Sequence, residues 1–364
     1  MSEDADAGRI VHQAVDRRAL LLAAAGIVGL AGCTATEPAG ATKPAVPGRQ
    51  AVPERQAVAH QPGVVTPPFV ETEYVAFDVT ARDRKGLAEA LRALSAPAAG
   101  VTVTIAAGAS LFDGPFGIEG PRRLTRMPSF RGDVLDPRWC HGDLLVQFDA
   151  DTRERIAAVL ARQPPNLRPR WRLAGTRGQR NLFGFAEGAG NPDSTNTELM
   201  DRCVWVQPDD DEPAWCAGGT YQVVRLIRLA LPIWEAQPTH VQERVVGRHK
   251  DTGAALGQST KEALPEFLAD PDGAVIPLDS HIRRAYPRTG RERPILRRGH
   301  SYRRAKTDVG QIFVCFQRDV ELGFATVQRR LAGEALEKYL RPFGGGYYFV
   351  LPGGGDFAGQ AMLA

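Results

Sequence analysis

Three short segments concentrate the residue types that can do chemistry. The first is Asn181 to Pro192, NLFGFAEGAGNP. Its glycines at 184, 188 and 190 permit tight turns and close approach of backbone to a ligand. Between them sits one carboxylate, Glu187, with Phe183 and Phe185 just before it. A carboxylate in such an apolar loop is costly to bury unless it is paired or used; a solvated surface turn is the plainer alternative. The second segment is Asp279 to Arg288, DSHIRRAYPR, and the third is Pro294 to Tyr302, PILRRGHSY. They supply His281, Arg297, Arg298 and His300. An imidazole can ligate a metal and a guanidinium can stabilise developing anionic charge. Spacing alone does not single out His281; His249 and His300 are equal rivals at this point.

Composition narrows the chemistry. The seven histidines lie at 12, 60, 141, 240, 249, 281 and 300, and no two have zinc-site spacing; no CxxC occurs. The formal net charge of +3 is small, and no basic run interleaved with aromatics appears, so nucleic acid is not an expected partner.

The N-terminus reads as a targeting segment. Arg17 and Arg18 precede an apolar run, Ala19 to Leu30, that ends Leu30-Ala31-Gly32-Cys33. A run of this length is too short for a helix across a bilayer core of about 30 Å. Paired arginines before it are similar to a twin-arginine (Tat) export signal. The Leu-Ala-Gly-Cys ending is similar to a lipoprotein processing site with Cys33 acylated, and an uncleaved anchor is the alternative. The expected location is periplasmic or at the cell surface. Four cysteines remain, Cys140, Cys203, Cys216 and Cys315. A small Cys203–Cys216 loop is conceivable in an oxidising compartment, but buried thiols are preferred because Cys140 and Cys315 sit among apolar residues.

Positioning elements follow from periodicity. Residues 34–66, rich in Pro, Ala, Gly and Gln, form a tether. Strands are expected at Glu73–Thr80, Gly142–Asp149, Tyr221–Leu231, Gln311–Gln317 and Tyr347–Leu351, the last after Gly344-Gly345-Gly346. Helices are expected at Asp83–Leu94, Thr152–Ala161 and Phe324–Leu340. Strand-then-helix grouping, repeated once, predicts an α+β fold of two halves with mostly antiparallel sheets. The expected halves are 67–212 and 213–364, split near the polar break Asp209-Asp210-Asp211-Glu212-Pro213.

Taken in order, several blocks resemble dye-decolorizing peroxidases: HQPGVVTP at 60, CHGDLLVQF at 140, NLFGFAEGAGNP at 181, ERVVGRHKDTGAALG at 243, DSHIRRAYPR at 279, ILRRGHSY at 295 and FGGGYYFVLPG at 343. With the leader, the chain is most similar to the exported deferrochelatase/peroxidase subgroup. The resemblance implies two ferredoxin-like halves, one haem b per subunit, and a haem pocket mainly in the C-terminal half. It implies a one-electron peroxidase acting on hydrogen peroxide and organic donors such as dyes. By position, it places the proximal ligand on His281, the distal arginine on Arg297 and the distal acid on Glu187. Gly188, Ala189 and Gly190 would line the porphyrin; Arg248, Tyr286, Pro287 and Arg288 would meet its face or propionates. The family has Asp where this chain has Glu187, and Asp193 is a weaker alternative acid. A carboxylate from an unspecified part of the chain is expected behind His281. Trp139, Trp171, Trp205, Trp215, Trp234 and Tyr302 are candidate electron-entry aromatics, most of them expected to be core. Haem iron release, with iron-uptake proteins as partners, and a non-catalytic surface lipoprotein are the alternatives; a homodimer is compatible with all of these.

Overall fold

The structure, a computed structural model, describes residues 60–287 and 293–364. The leader, Cys33, residues 34–59 of the expected tether and Arg288 lie outside the described residues; its last stretch, 60–66, is no tether, because Gln61 and Val64 are buried and Gln61 Nε2 donates to Ile105 O and Leu351 O. All described residues belong to one compact unit.

Alternation in ETEYVAFDV makes Glu71–Val79 the first strand, β1. Its two faces meet two different cores. Tyr74 and Ala76 join an interior cluster that includes Trp171, Val224, Val314 and Tyr348. Val75 and Phe77 pack against Leu87, Leu91 and Leu94 of helix α1, Arg84–Ser95. That helix starts where Asp83 accepts a hydrogen bond from Gly86 N at 2.8 Å, an ordinary N-cap. The chain continues through β2 (Val101–Gly108), α2 (Ala109–Phe112), β3 (Leu144–Ala150), α3 (Arg153–Leu160), β4 (Leu167–Thr176) and α4 (Thr197–Cys203). The second part comprises β5 (Thr220–Leu229), α5 (Leu231–Glu235), α6 (Thr239–Val246), α7 (His281–Ala285), β6 (Leu296–Arg297), β7 (His300–Ala305), β8 (Asp308–Gln317), α8 (Thr326–Leu331) and β9 (Leu340–Val350).

The strand order is β5-β9-β2-β3-β1-β4-β7-β8-β6, and β5 also pairs with β8, which closes the ring. Within it, β2-β3-β1-β4 repeats as β7-β8-β5-β9, the antiparallel order of a ferredoxin-like unit taken twice. The expected α+β architecture is therefore present. Two seams join the repeats: Ala106 faces Val350 between β2 and β9, and Thr176 faces Ser301 between β4 and β7. The proposed division at 212/213 falls between β4 and β5.

Three expectations need correction. The helix expected over Phe324–Leu340 stops at Leu331, because Gly333 adopts φ 78°. Its apolar repeat continues by coincidence: Leu336 packs with Trp234 and Tyr339 in another cluster. The strand expected from Tyr347 instead starts at Leu340 and runs through all three glycines. There, a β-carbon on Gly344 would lie 2.4 Å from Trp139 O. One on Gly345, at φ 116°, would lie 2.0 Å from Val224 O. Glycine is thus required by close backbone approach, and does not mark a turn. Finally, four strands, β2, β4, β6 and β7, go beyond those expected. In β4, Pro169 and the outward Arg168, Arg170 and Arg172 obscure the strand; a register shift between Ala76 and Phe77 absorbs the proline.

Cys140, Cys203, Cys216 and Cys315 are all buried and free, as preferred from their apolar surroundings. Burial raises the thiol pKa of each.

Gly345→Ala tests the account of β9. It should lower stability by about 1–3 kcal/mol, the range for a residue forced into such backbone, and more if the clash with Val224 cannot relax. A thermal melt several degrees below wild type is expected; an unchanged melt would contradict the close approach.

Candidate active site

His281 is the first residue of α7. That short helix is anchored by the buried Arg283, which donates to Ile276 O at 2.8 Å and to the Asp270 carboxylate at 2.5 Å. The end of α8 at Leu331, followed by Gly333 at positive φ, then delivers Glu334 beneath the imidazole. His281 Nδ1 lies 2.7 Å from Glu334 Oε2, and the Glu334 side chain is only 4% exposed. Ala335 N donates to Asp279 O at 3.0 Å, so the two segments are also tied through backbone. A carboxylate accepts, so Nδ1 carries the hydrogen and Nε2 is left with its lone pair. That is the tautomer a metal ligand needs.

The segment around Glu187 is pinned at both ends. Asn181 Oδ1 accepts from Phe183 N and Phe185 N, forming a side-chain-closed turn. Phe183 and Phe185 then bury against Trp234, whose Nε1 donates to Phe183 O at 3.1 Å. Beyond the acid, Asn191 makes two bonds to the backbone of Arg297: it accepts from Arg297 N at 2.8 Å and donates to Arg297 O at 3.1 Å. Arg297 in turn donates through Nη2 to Ala189 O at 2.8 Å. Gly190 sits at φ 66°, and a β-carbon there would be 3.0 Å from Arg248 Nη2 and 3.9 Å from Arg297 Nη2. Two guanidinium groups thus crowd one glycine.

Electrostatics follow from this crowding. Burial pushes the Glu187 carboxyl above the usual range; Arg177, Arg297 and Lys261 pull it partly back. Arg177 Nη2 lies 3.7 Å from Glu187 Oε2, and Lys261 Nζ donates to Glu187 O at 2.7 Å. Arg248 is lowered by burial and then by Arg297, and Arg297 by burial, against the pull of Glu187. Both remain cations at neutral pH.

Glu187, Gly188, Ala189, Gly190, Arg248 and Arg297 are therefore one constellation. His281 adjoins it through α7: a β-carbon on Gly247 would meet the side chain of Ile282 at 2.6 Å, and Arg248 is the next residue. Tyr286 and Pro287 follow directly on α7. Both are exposed and line a cavity of about 1150 Å³ with Phe267, Arg283, Arg284 and Arg330. The rivals fare differently. His249 is half-exposed, with Nδ1 3.8 Å from Glu243. His300 is buried, its Nδ1 3.5 Å from the Tyr74 hydroxyl, and burial together with Arg177 pushes its pKa down to about 3. Asp193 is no alternative acid: it is exposed and accepts from Thr195 N and Oγ1 in a local turn. Of the candidate aromatics, Trp171, Trp205, Trp234 and Tyr302 are buried; Trp139 and Trp215 reach the surface in part. The Arg304 guanidinium lies 4.3 Å from the centre of the Trp139 ring. Glu334, Arg177 and the two hydrogen bonds of Asn191 to the Arg297 backbone are the site features that spacing did not reveal.

Comparison with known proteins decides the family. The N-terminal Dyp-type peroxidase model matches residues 93–163 and the C-terminal one residues 178–355. Deferrochelatase of Escherichia coli strain K12 is 43% identical over 290 residues, covering 72% of this chain and 69% of the relative. The chain belongs to the Dyp-type peroxidase family. Ferric DtpA from Streptomyces lividans superposes with a TM-score of 0.76 at 32% identity, covering 84% of this chain and 95% of that one. A DyP-type peroxidase from Cellulomonas bogoriensis gives 0.74 at 32% identity, over 84% of this chain and 96% of that one.

This Dyp-type peroxidase is thus an enzyme with a haem cofactor, hydrogen peroxide as oxidant and organic electron donors as reductants. A reading as a non-catalytic lipoprotein is set aside. The donor set fits haem: an imidazole backed by a carboxylate, a glycine-rich segment with Gly188 and Gly190 at positive φ, and paired guanidiniums of the kind that bind carboxylates bidentately.

Asn191→Ala unhooks the acid-bearing segment from Arg297. Haem content should be unchanged while the rate of reaction with peroxide falls by about 100-fold, as for a misplacement of about 1 Å. A wild-type rate in stopped-flow mixing would contradict a positioning role for Asn191.

Proposed function

We propose that His281 is the residue that would hold the haem iron, Glu187 the proton carrier and Arg297 the charge-stabilising donor of the peroxidase reaction. The observation that carries this reading is the 2.7 Å pair of His281 Nδ1 with the buried Glu334 carboxylate. It fixes the ring orientation and makes Nε2 a stronger donor. Arg248, with Tyr286, Pro287 and Arg288, is assigned to the propionates or the porphyrin face, and Gly188 to Gly190 to the face itself. Bound haem supplies a redox-active iron that accepts peroxide and draws single electrons from donors.

The chain's own residues handle the protons. The Glu187 carboxylate would take the proton from one peroxide oxygen and return it to the other. The Arg297 guanidinium favours the negative charge that builds between those events; comparable preorganised donors are worth about 3–4 kcal/mol. Because burial raises the Glu187 pKa, the carboxylate form is lost early as pH falls, so the peroxide reaction slows on the acid side.

A second reading, haem iron release, is favoured by the 43% identity to deferrochelatase. It uses the same residues, and iron-uptake proteins would then be the partners. Free iron released from haem, measured beside steady-state dye oxidation, separates the two. We further assign export to the Arg17-Arg18 leader and lipid attachment to Cys33, which places the enzyme outside the cytoplasm.

His281→Ala, purified after haem supplementation, should lose the Soret band or all activity; retention of both would overturn the ligand assignment. Arg297→Leu should keep haem yet react with peroxide about 100- to 1000-fold more slowly. A wild-type rate in that variant would remove Arg297 from the chemistry.

A further inference from the structure

Glu187 faces three cations: Arg177 just after β4, Arg297 on β6 and Lys261 on the intervening loop. They are not equivalent. Lys261 Nζ donates to the Glu187 backbone oxygen at 2.7 Å. Arg297 Nη2 is bonded to Ala189 O at 2.8 Å. Arg177 is the cation whose tip meets the carboxylate, Nη2 to Oε2 at 3.7 Å. Its side chain is 15% exposed and that of Glu187 25%.

Arg177 is also held from behind. Its backbone N donates to Val70 O at 2.8 Å, and its Nη1 donates to Gly299 O at 2.7 Å. Gly299 stands between β6, which carries Arg297, and β7. The adjoining residue, Thr176, is the one that pairs with Ser301 across the seam between β4 and β7. One guanidinium therefore fastens the first half to the segment bearing Arg297 while its other nitrogen faces the acid. Arg177 has Arg297, Arg298 and His300 around it as well, and each of them feels its charge. Within this group Glu187 is the neighbouring carboxylate, so Arg177 has an electrostatic reason to hold it.

We propose that Arg177 is a positioning residue that keeps the Glu187 carboxylate ionised and aimed, so that the acid can act as a base below neutral pH. The proposal rests on the reading of Glu187 as proton carrier. An opposite charge within about 4–6 Å favours the ionised carboxylate. Without Arg177, burial acts against Arg297, Lys261 and the Gly188 backbone N–H, and the carboxyl titrates at higher pH.

The test uses the haem-loaded protein with Arg177→Gln, Arg177→Met and Arg177→Lys. The two neutral variants stand in for each other if one fails to retain haem, which the absorbance spectrum reports. Infrared titration follows the C=O stretch of the protonated Glu187 carboxyl, assigned by its loss in Glu187→Gln. In the neutral variants that band should persist to higher pH than in wild type, and Arg177→Lys should restore most of the shift. In stopped-flow mixing, their peroxide reaction should be about tenfold slower at acidic pH and approach wild type at alkaline pH, the effect of about one unit on the midpoint. An infrared titration identical to wild type, or a rate lowered equally at every pH, would overturn the role. An infrared shift with no matching shift in rate would uphold the Arg177–Glu187 coupling and instead remove Glu187 as proton carrier.

Discussion

A buried carboxylate that accepts from an imidazole is the interaction on which the remaining features depend. Glu334 is nearly inaccessible, and His281 Nδ1 lies 2.7 Å from its carboxylate. A buried carboxylate without such a partner would be strongly unfavourable, so the pair stabilises both a tautomer and a chain path. The path is the abrupt end of α8 at Leu331, followed by Gly333 in a left-handed conformation. Extending that helix by another turn would carry Glu334 along the helix and leave His281 without its acceptor.

The group around Glu187 has a different origin. Arg177 and Glu187 lie before the 212/213 division, whereas Arg248 and Arg297 lie after it. They meet beside the seam where Thr176 faces Ser301. That seam has few backbone pairings, so side chains do much of the joining: Arg177 to Gly299 O, Asn191 to Arg297, and Arg297 to Ala189 O. The same bonds that fasten the two repeats therefore set the distances among the acid and its cations. Stability and function share hydrogen bonds here, which limits how freely either repeat can vary.

The sequence made parts of this legible. Two-residue alternation located β1, continuous apolar runs located β3, β5 and β8, which are largely buried on both faces, and leucines at helical spacing located α1. Gly344-Gly345-Gly346 misled because glycine is read as a turn signal, whereas here it admits Trp139 and Val224 backbone oxygens against a strand. The Phe324–Leu340 periodicity misled because local apolar spacing says nothing of a break required by a residue elsewhere in space. For the site, Glu187 and Arg297 were reached by resemblance and the structure groups them. Glu334 was not named, since a lone acid 53 residues beyond His281 has no local pattern. Arg177 was hidden likewise: it is one of many arginines, and only the closure of the ring brings it to Glu187.

The most direct measurement is resonance Raman spectroscopy of the ferrous haem protein, which reports the iron–histidine stretch. In wild type the band should be present, and Glu334→Gln should move it to lower frequency, because a neutral amide leaves the imidazole a weaker donor. A band at the same frequency in Glu334→Gln, or one that persists in His281→Ala, would contradict the account.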